Sequence, residues 1–388
     1  EMHSYDGAIR YSDLFRGEEY DSRWEDEWRA VDFDDSGWKK MHTVSYTKKN
    51  LAVQMAEPVR VIDELPAKDV RRLSDGRYVV DFGRNVAGHV RLKHICGEPG
   101  HRLTIAHYEM LNMDGTLPAP ADMSRRFGDH IPEDYIDTHE ALDHFICNGK
   151  LCESYTASFT YHAFRYAVIS GYPGIPTVEN FSAVVIGSDL EQTGSFVCSD
   201  ERLNRLQSNI WWSQLGNLIS IPTDCPVRER AGWTGDVWVY GETAAYLQNV
   251  YNFFRRYLKL CRDDQKENGE ILNVVPRLLG YGMVESHPNA GWADIIVKLP
   301  YVLYQIYGDK QILEENYEAM VKWLDWEKET AAAWFPRGRG LVSRQRLEDN
   351  AYLWNSGFHV GEHLIPVFKP YFDPEADEYK RYVASAMY

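Results

Sequence analysis

Hydrophobic and polar positions follow two different periods along this chain. In the first half they alternate. Tyr78-Val79-Val80-Asp81-Phe82 is a short strand pattern entering a Gly83-Arg84-Asn85 turn. Residues 89–93 alternate next, with Val90 and Leu92 on one face. After the turn Gly97-Glu98-Pro99-Gly100, residues 103–107 alternate again. Residues 159–169 are rich in aromatic and β-branched side chains and end at Gly171-Tyr172-Pro173-Gly174. Strands separated by Gly/Pro turns at this density predict a β-sandwich.

The period changes near residue 195. Leu203, Leu206 and Ile210 are spaced 3 and 4 apart after Ser199-Asp200-Glu201, a helix-start pattern. Ala244, Leu247, Tyr251, Phe254 and Leu258 keep the spacing 3, 4, 3, 4. Leu313, Tyr317, Met320 and Leu324 keep 4, 3, 4. These are amphipathic helices joined by long, polar, Trp-rich loops. The organisation expected is a β remnant over 1–70, a β-sandwich domain over 71–190 and a helical domain over 195–388. The 24–38 segment, with Asp32-Phe33-Asp34-Asp35-Ser36-Gly37-Trp38, belongs to the first.

Composition narrows the partners. The chain has 388 residues, 44% hydrophobic and 26% charged, with a formal net charge of −16. Length favours two or three domains, and the balance is that of a globular chain. A surface this acidic repels phosphate, so nucleic acid and anionic lipid are poor partners. No run of about 18 apolar residues is present, so no membrane helix is expected. The 12 Trp and 25 Tyr have two readings: β-rich cores use aromatics, and pyranose C–H faces lie well on indoles. Cys96, Cys147, Cys152, Cys198, Cys225 and Cys261 form no C-x-x-C pair and no framework, and most are expected to be reduced and buried. Both ends read as truncated.

The chemistry concentrates in one stretch, Ile221-Pro222-Thr223-Asp224-Cys225-Pro226-Val227-Arg228-Glu229-Arg230-Ala231-Gly232-Trp233-Thr234-Gly235-Asp236. It lies between two helix patterns, and its Pro and Gly make it a loop. A carboxyl beside a Trp in a closed pocket is desolvated and can hold a proton for a leaving oxygen. Neighbouring arginines keep other carboxylates ionised to accept from sugar hydroxyls. On composition alone, a solvated charged loop is the commoner reading.

This stretch resembles the signature loop of the bacterial α-L-rhamnosidases. Further segments resemble the same family: Asp81-Phe82-Gly83-Arg84-Asn85 with Ala87-Gly88; residues 159–166 with Gly171-Tyr172-Pro173; Gly194-Ser195-Phe196 with Leu203-Asn204; Gly291-Trp292-Ala293-Asp294; and Tyr307-Gly308-Asp309. The resemblance implies N-terminal β-sandwich domains followed by an all-α (α/α)6 barrel, incomplete at the C-terminus. It implies inverting hydrolysis of terminal α-L-rhamnosides, with Glu229 as the general acid. Asp224, Arg228, Trp233 and Asp236 match the sugar site, and Trp292 and Asp294 match its second wall. Glu362, in Gly357-Phe358-His359-Val360-Gly361-Glu362, matches a later acidic loop. Many members carry one more residue between the loop's proline and glutamate, where this chain has only Val227 and Arg228. The family's general base is a late glutamate, expected beyond residue 388.

The partners implied are rhamnose-containing oligosaccharides, polysaccharides or glycosides, with no nucleic acid and no membrane; a homodimer stays open. No cofactor and no metal is implied, and bacterial cytoplasm and periplasm both stay open. His162 reads as a hydrogen-bonded strand histidine. His359 and Glu362 have helical ligand spacing but no partner pair. Cys225 reads as structural, because an acidic setting raises a thiol. Gly83-Arg84-Asn85-Val86-Ala87-Gly88 is no dinucleotide fingerprint, since no helix pattern follows. The other function class left open is a sugar-binding or scaffold protein that keeps the pocket without the base; a polysaccharide lyase would need a basic subsite.

Overall fold

A computed structural model describes residues 3–25, 28, 30–48, 51–118, 141–278, 288–333, 354 and 359. The strands are β1 (His3–Ser4), β2 (Ile9–Asp13), β3 (Gly17–Asp21), β4 (Lys39–Lys40), β5 (Val59–Pro66), β6 (Asp69–Arg72), β7 (Tyr78–Ile95), β8 (Arg102–Tyr108), β9 (Leu142–Ile146), β10 (Glu153–Tyr155), β11 (His162–Ser170) and β12 (Phe181–Ser188). Ten of them share one sheet in the order β2-β3-β9-β8-β11-β7-β12-β5, with β6 and β10 also on β7. Every pairing in that sheet is antiparallel except β3 with β9.

The 18-residue β7 organises the sheet. Val79 and Val80 point to opposite faces and are both buried. The strand is therefore covered on both sides. Val90 and Leu92 face one core, as their alternation predicts, beside Leu103, Ile105, Phe145, Phe164 and Phe181. The expected Gly83-Arg84-Asn85 turn is not a hairpin. Asp81 pairs with Tyr166 and Val86 with Phe164, so residues 82–85 bulge out of a strand that continues. Gly88 is demanded by contact: a Cβ there would lie 1.9 Å from the Val184 carbonyl oxygen. Hydrogen bonding does not stop at residue 70 either, because β2, β3 and β5 continue the sheet built by later strands.

Among the described residues five α-helices follow: α1 (Glu201–Asn217), α2 (Thr234–Leu247), α3 (Tyr251–Asp264), α4 (Ile295–Tyr307) and α5 (Gln311–Ala333). The short antiparallel strands β13 (Leu218–Ile219) and β14 (Ile221–Pro222) separate α1 from α2. Asp200 caps α1 by accepting from the Arg202 N–H at 2.9 Å. The face expected to be buried is not: Leu203 and Leu206 are exposed, and α1 docks on the sheet through its last turn, with Leu215 in the sheet core. The Ala244–Leu258 repeat is buried but runs across a break, since α2 ends at Leu247 and α3 begins at Tyr251. In α5 the face is displaced by one residue. Ile312, Asn316, Ala319 and Trp323 are buried, whereas Tyr317 and Leu324 are exposed. The cysteines also differ from expectation: all are free, only Cys147 and Cys261 are buried, and Cys96 and Cys152 are exposed.

Inside the sheet, His162 Nε2 lies 3.0 Å from Asp143 Oδ1, so this strand histidine is hydrogen-bonded as expected. The His107 ring stacks on it at 3.9 Å. Burial holds His107 neutral, down to about 3, with His162 adding to the effect; His162 and His89 are lowered too, chiefly by burial. Burial raises Asp143. The sign follows. The unfolded chain takes up a proton at His107 below its ordinary 6.5, whereas the folded chain refuses it until about 3. Stability is therefore lost as pH falls through that window, by up to about 1.4 kcal/mol per pH unit for each such histidine. Asp143 opposes this, because its raised value favours the fold on the acid side. Urea unfolding between about pH 7 and 5 is expected to show a falling midpoint, with a flatter slope in His107→Phe. A midpoint that rises on acidification would contradict the histidine account.

Candidate active site

The loop between β14 and α2 is closed by a pair of bonds. The Asp224 N–H donates to the Ala231 carbonyl at 3.1 Å, and the Ala231 N–H donates to Asp224 Oδ1 at 3.0 Å. Within the loop the Glu229 N–H points at Cys225 Sγ, 3.4 Å away. That contact gives Cys225 a structural role, and burial, with Asp224 beside it, pushes its thiol up. Beyond the loop, Gly232 has no room for a side chain, since a Cβ would lie 1.9 Å from the Val275 carbonyl oxygen. Its own carbonyl accepts from the Tyr257 hydroxyl and the Val275 N–H, each at 2.9 Å.

Trp233 stands at the start of α2 and donates its indole N–H to Glu229 Oε2 at 2.8 Å. Asp236 sits in the first turn of the same helix. Helix N-termini favour carboxylates, yet burial, then the charges of Asp224 and Glu229, push Asp236 up to about 6. Asp236 as a residue is exposed, so solvent screens part of that rise. Asp224 is raised by burial and by Glu229, against hydrogen bonds from Cys225 and Ala231. Three carboxyls thus sense one another across a small volume, with one indole N–H on Glu229. Arg228, next to Glu229 in the sequence, is half-buried.

Trp292 closes against the same helix: a Cβ on Gly235 would lie 2.3 Å from Trp292 Cε2. Asp294 is two residues further on. Its carboxyl accepts from the Gly291 N–H and from Trp323 Nε1, the latter at 2.9 Å. Burial raises it, and these two donors pull the other way. The structure therefore brings Asp224, Glu229, Trp233 and Asp236 together, with Trp292 on the turn that carries Asp236. Asp294 faces a different set of neighbours, on α5. Glu362 lies outside the described residues. His359 is described and packs edge-on to Trp354 at 5.0 Å.

Two further groups belong to this region: Arg230, which the sequence reading took with Arg228 as a charge that keeps carboxylates ionised, and Glu327, which it passed over. Arg230 is buried next to Glu229 and reaches the N-terminal segment. Glu327 is buried on α5, where burial and then Asp294 push it up to about 8. The only signal for Glu327 was its place four residues after Trp323 and eight after Ala319 on the true buried face, which the displaced stripe concealed. Among the described residues one group, His107, Asp143 and His162, has metal-ligand residue types with atoms within 4.8 Å of one another. The two rings are stacked, so their lone pairs run nearly parallel instead of converging, and we assign it no ion. A separate depression of ≈ 380 Å³ is lined by Tyr5, Arg23, Trp24 and Trp38, and none of the expected site residues lines it.

Clustered carboxyls and indoles on a helical region that follows a sheet-rich region suit a neutral ligand with hydroxyls and an apolar face. Comparison with known families agrees and is more particular. A bacterial alpha-L-rhamnosidase 6 hairpin glycosidase domain matches residues 191–388, a bacterial alpha-L-rhamnosidase concanavalin-like domain matches 71–187, and an alpha-L-rhamnosidase N-terminal domain matches 1–63. The chain belongs to the bacterial α-L-rhamnosidase family. It is 36% identical over 323 residues to an alpha-L-rhamnosidase of Streptomyces avermitilis, covering 82% of this chain and 29% of that protein. One of Formosa agariphila is 34% identical over 84% of this chain and 34% of its own length. The chain thus spans about a third of these relatives. Among solved structures, an alpha-L-rhamnosidase from Dictyoglumus thermophilum superposes with a TM-score of 0.77 at 33% identity, over 90% of this chain and 39% of that one. The Streptomyces avermitilis enzyme complexed with L-rhamnose gives 0.76 at 33% identity, over 87% and 31%.

The contact between Gly235 and Trp292 makes a stability prediction. Gly235→Ala would drive a methyl into the indole and is expected to cost about 1–3 kcal/mol, the usual scale of overpacking. Urea unfolding followed by tryptophan fluorescence measures it. An unchanged midpoint would mean that Trp292 moves aside freely.

Proposed function

We propose that the full-length protein hydrolyses terminal, non-reducing α-L-rhamnose residues from rhamnosides with inversion of configuration, and that Glu229 is the general acid. The observation that carries the reading is the Trp233 indole N–H on Glu229 Oε2, in a loop where Asp224 and Asp236 crowd the same carboxyl. A bond to one carboxyl oxygen fixes the group's orientation and leaves the other free to face a leaving oxygen. The helical region is proposed to be part of an (α/α)6 barrel, preceded by the β domains, with the domain limits given by the sequence pattern.

In this reading Asp224 and Asp236 accept hydrogen bonds from rhamnose hydroxyls, and Arg228 balances their charge. Trp233 and Trp292 present indole faces to the ring's C–H groups. Asp294 and Glu362 complete the far wall. Rhamnose is neutral, so an acidic site does not repel it, and the carboxylates gain partners where the apolar indoles exclude water. Inversion requires a second carboxylate that activates a water from the opposite face, roughly 6.5–9.5 Å from the acid. The substrates are rhamnose-containing oligosaccharides, polysaccharides or glycosides. Among the described residues no helix is long and apolar enough to cross a membrane.

The roles separate by leaving group. Glu229→Gln keeps the shape of the site and the Trp233 contact but has no proton to give. With natural rhamnosides, whose alkoxides leave poorly, kcat is expected to fall about 10²–10⁴-fold, the scale of general acid catalysis. The loss should shrink with aryl rhamnosides whose phenolates leave unaided. Asp236→Asn should lower kcat/KM on all of them alike, because it acts on the sugar. Steady-state kinetics on a graded aryl series decides the matter. Undiminished activity of Glu229→Gln on a poor leaving group would sink the assignment, and NMR detection of a retained anomer as first product would sink inversion.

A further inference from the structure

Arg230 is a charged side chain that stability alone does not account for. It is 5% exposed and makes no ion pair among the described residues. Burial lowers its affinity for its proton. A buried cation without a carboxylate partner costs free energy that a hydrophobic side chain would not. Its backbone is also left-handed, with φ +46 at a non-glycine residue, a conformation kept only where the surroundings over-determine it.

Those surroundings come from three parts of the chain. Nε donates to the Pro226 carbonyl at 3.0 Å, inside the loop that carries Glu229. Nη1 donates to the Leu14 carbonyl in the turn between β2 and β3. The guanidinium lies 4.5 Å from the ring centre of Tyr161, just before β11, and 5.5 Å from that of Phe15. The Leu14 carbonyl also accepts from Thr160 Oγ1 at 3.2 Å. One carbonyl oxygen thus joins the β2–β3 turn, the segment leading into β11 and the loop that carries Glu229. A planar fork is suited to holding two carbonyls at fixed separation, and a lysine is not.

From this junction we propose that Arg230 is a positioning residue: by tying its own loop to the Leu14 turn and the Tyr161 ring, it fixes where the adjacent Glu229 presents its carboxyl. The proposal rests on the reading of Glu229 as the proton donor. It gives the N-terminal hairpin a part in the reaction without any contact with substrate. The hairpin supplies the anchor, and Arg230 transmits it.

Arg230→Lys in the full-length protein keeps the charge and loses the fork. On rhamnosides with poor leaving groups kcat is expected to fall about 10²-fold, the scale of a small misplacement of a catalytic group. On 2,4-dinitrophenyl rhamnoside, which needs little protonation, the loss should stay under about fivefold, with KM little changed. A second measurement is independent of catalysis. Maleimide should label Cys225 about tenfold faster in the variant than in the wild type, while Cys198 keeps its rate. Tyr161→Leu, which removes one ring from the guanidinium, should show both effects at smaller size and serves if Arg230→Lys fails to fold. An equal loss on every leaving group would overturn the proposal, and so would unchanged labelling of Cys225. A wild type that cleaves no rhamnoside would defeat the functional reading instead, and the labelling result would then decide on Arg230 alone.

Discussion

The backbone bridge between Asp224 and Ala231 is the constraint from which the site follows. It closes the loop by using a side-chain carboxylate as a backbone acceptor, an arrangement aspartate makes readily because its carboxyl is one carbon from the chain. Beyond the bridge, Gly232 lies against the Val275 carbonyl, and both its polar neighbours bond to it. The loop is therefore fixed at its closing pair and again at its exit. Trp233 must then emerge where its indole meets Glu229 four residues earlier. The Glu229-to-Trp233 spacing of four residues then lets the indole N–H reach Glu229 Oε2.

The electrostatics follow from that compression. Carboxyls forced together cannot all ionise at ordinary values, because each charge raises the cost of the next. Burial and these repulsions push Asp224 and Asp236 upward together. A second pair, Asp294 and Glu327, repeats the pattern between α4 and α5. There Asp294 has two N–H donors and Glu327 has an oxygen with none. Donors favour the charged form, so they hold Asp294 back against the rise that burial gives it, while burial and then Asp294 push Glu327 up to about 8. The same division explains why Trp323 is buried at full depth: its N–H is spent on Asp294, and its rings stack on Trp326 and pack against Trp354.

What the sequence made legible was whatever depends on near neighbours. Asp200 at the start of α1, the Val90 and Leu92 face, and the hydrogen-bonded His162 were all readable from local chemistry. The loop at 221–236 was legible because its residue types are dense and oddly mixed. What stayed hidden depends on contacts far apart in the chain. The pairing of β3 with β9 joins residues over a hundred positions apart, and no pattern along 24–38 or 9–21 encodes it. The Gly83 bulge read as a turn because glycine with a polar neighbour marks both, and only the register of β11 tells them apart. In α5 the spacing of 4, 3, 4 fits two stripes one residue apart. Trp323 and Ile312 outweigh Tyr317 and Leu324 only once α4 supplies the partner surface.

Arg230 shows why a residue inside a recognised motif can still be misjudged. Along the sequence it is one of two arginines flanking Glu229, and both read as charge balance for the carboxylates. In space they differ. Arg228 stays half-buried in the loop, whereas Arg230 turns away from the carboxyls under a left-handed backbone and is covered by Tyr161. A side chain that leaves three nearby carboxylates for two carbonyls and an aromatic face gives up charge pairing for fixed geometry. Carbonyls hold a guanidinium with less energy than carboxylates do, but they belong to backbone whose position the sheet already determines. The anchor is therefore as stiff as the sheet, and the loop inherits that stiffness at the residue next to Glu229.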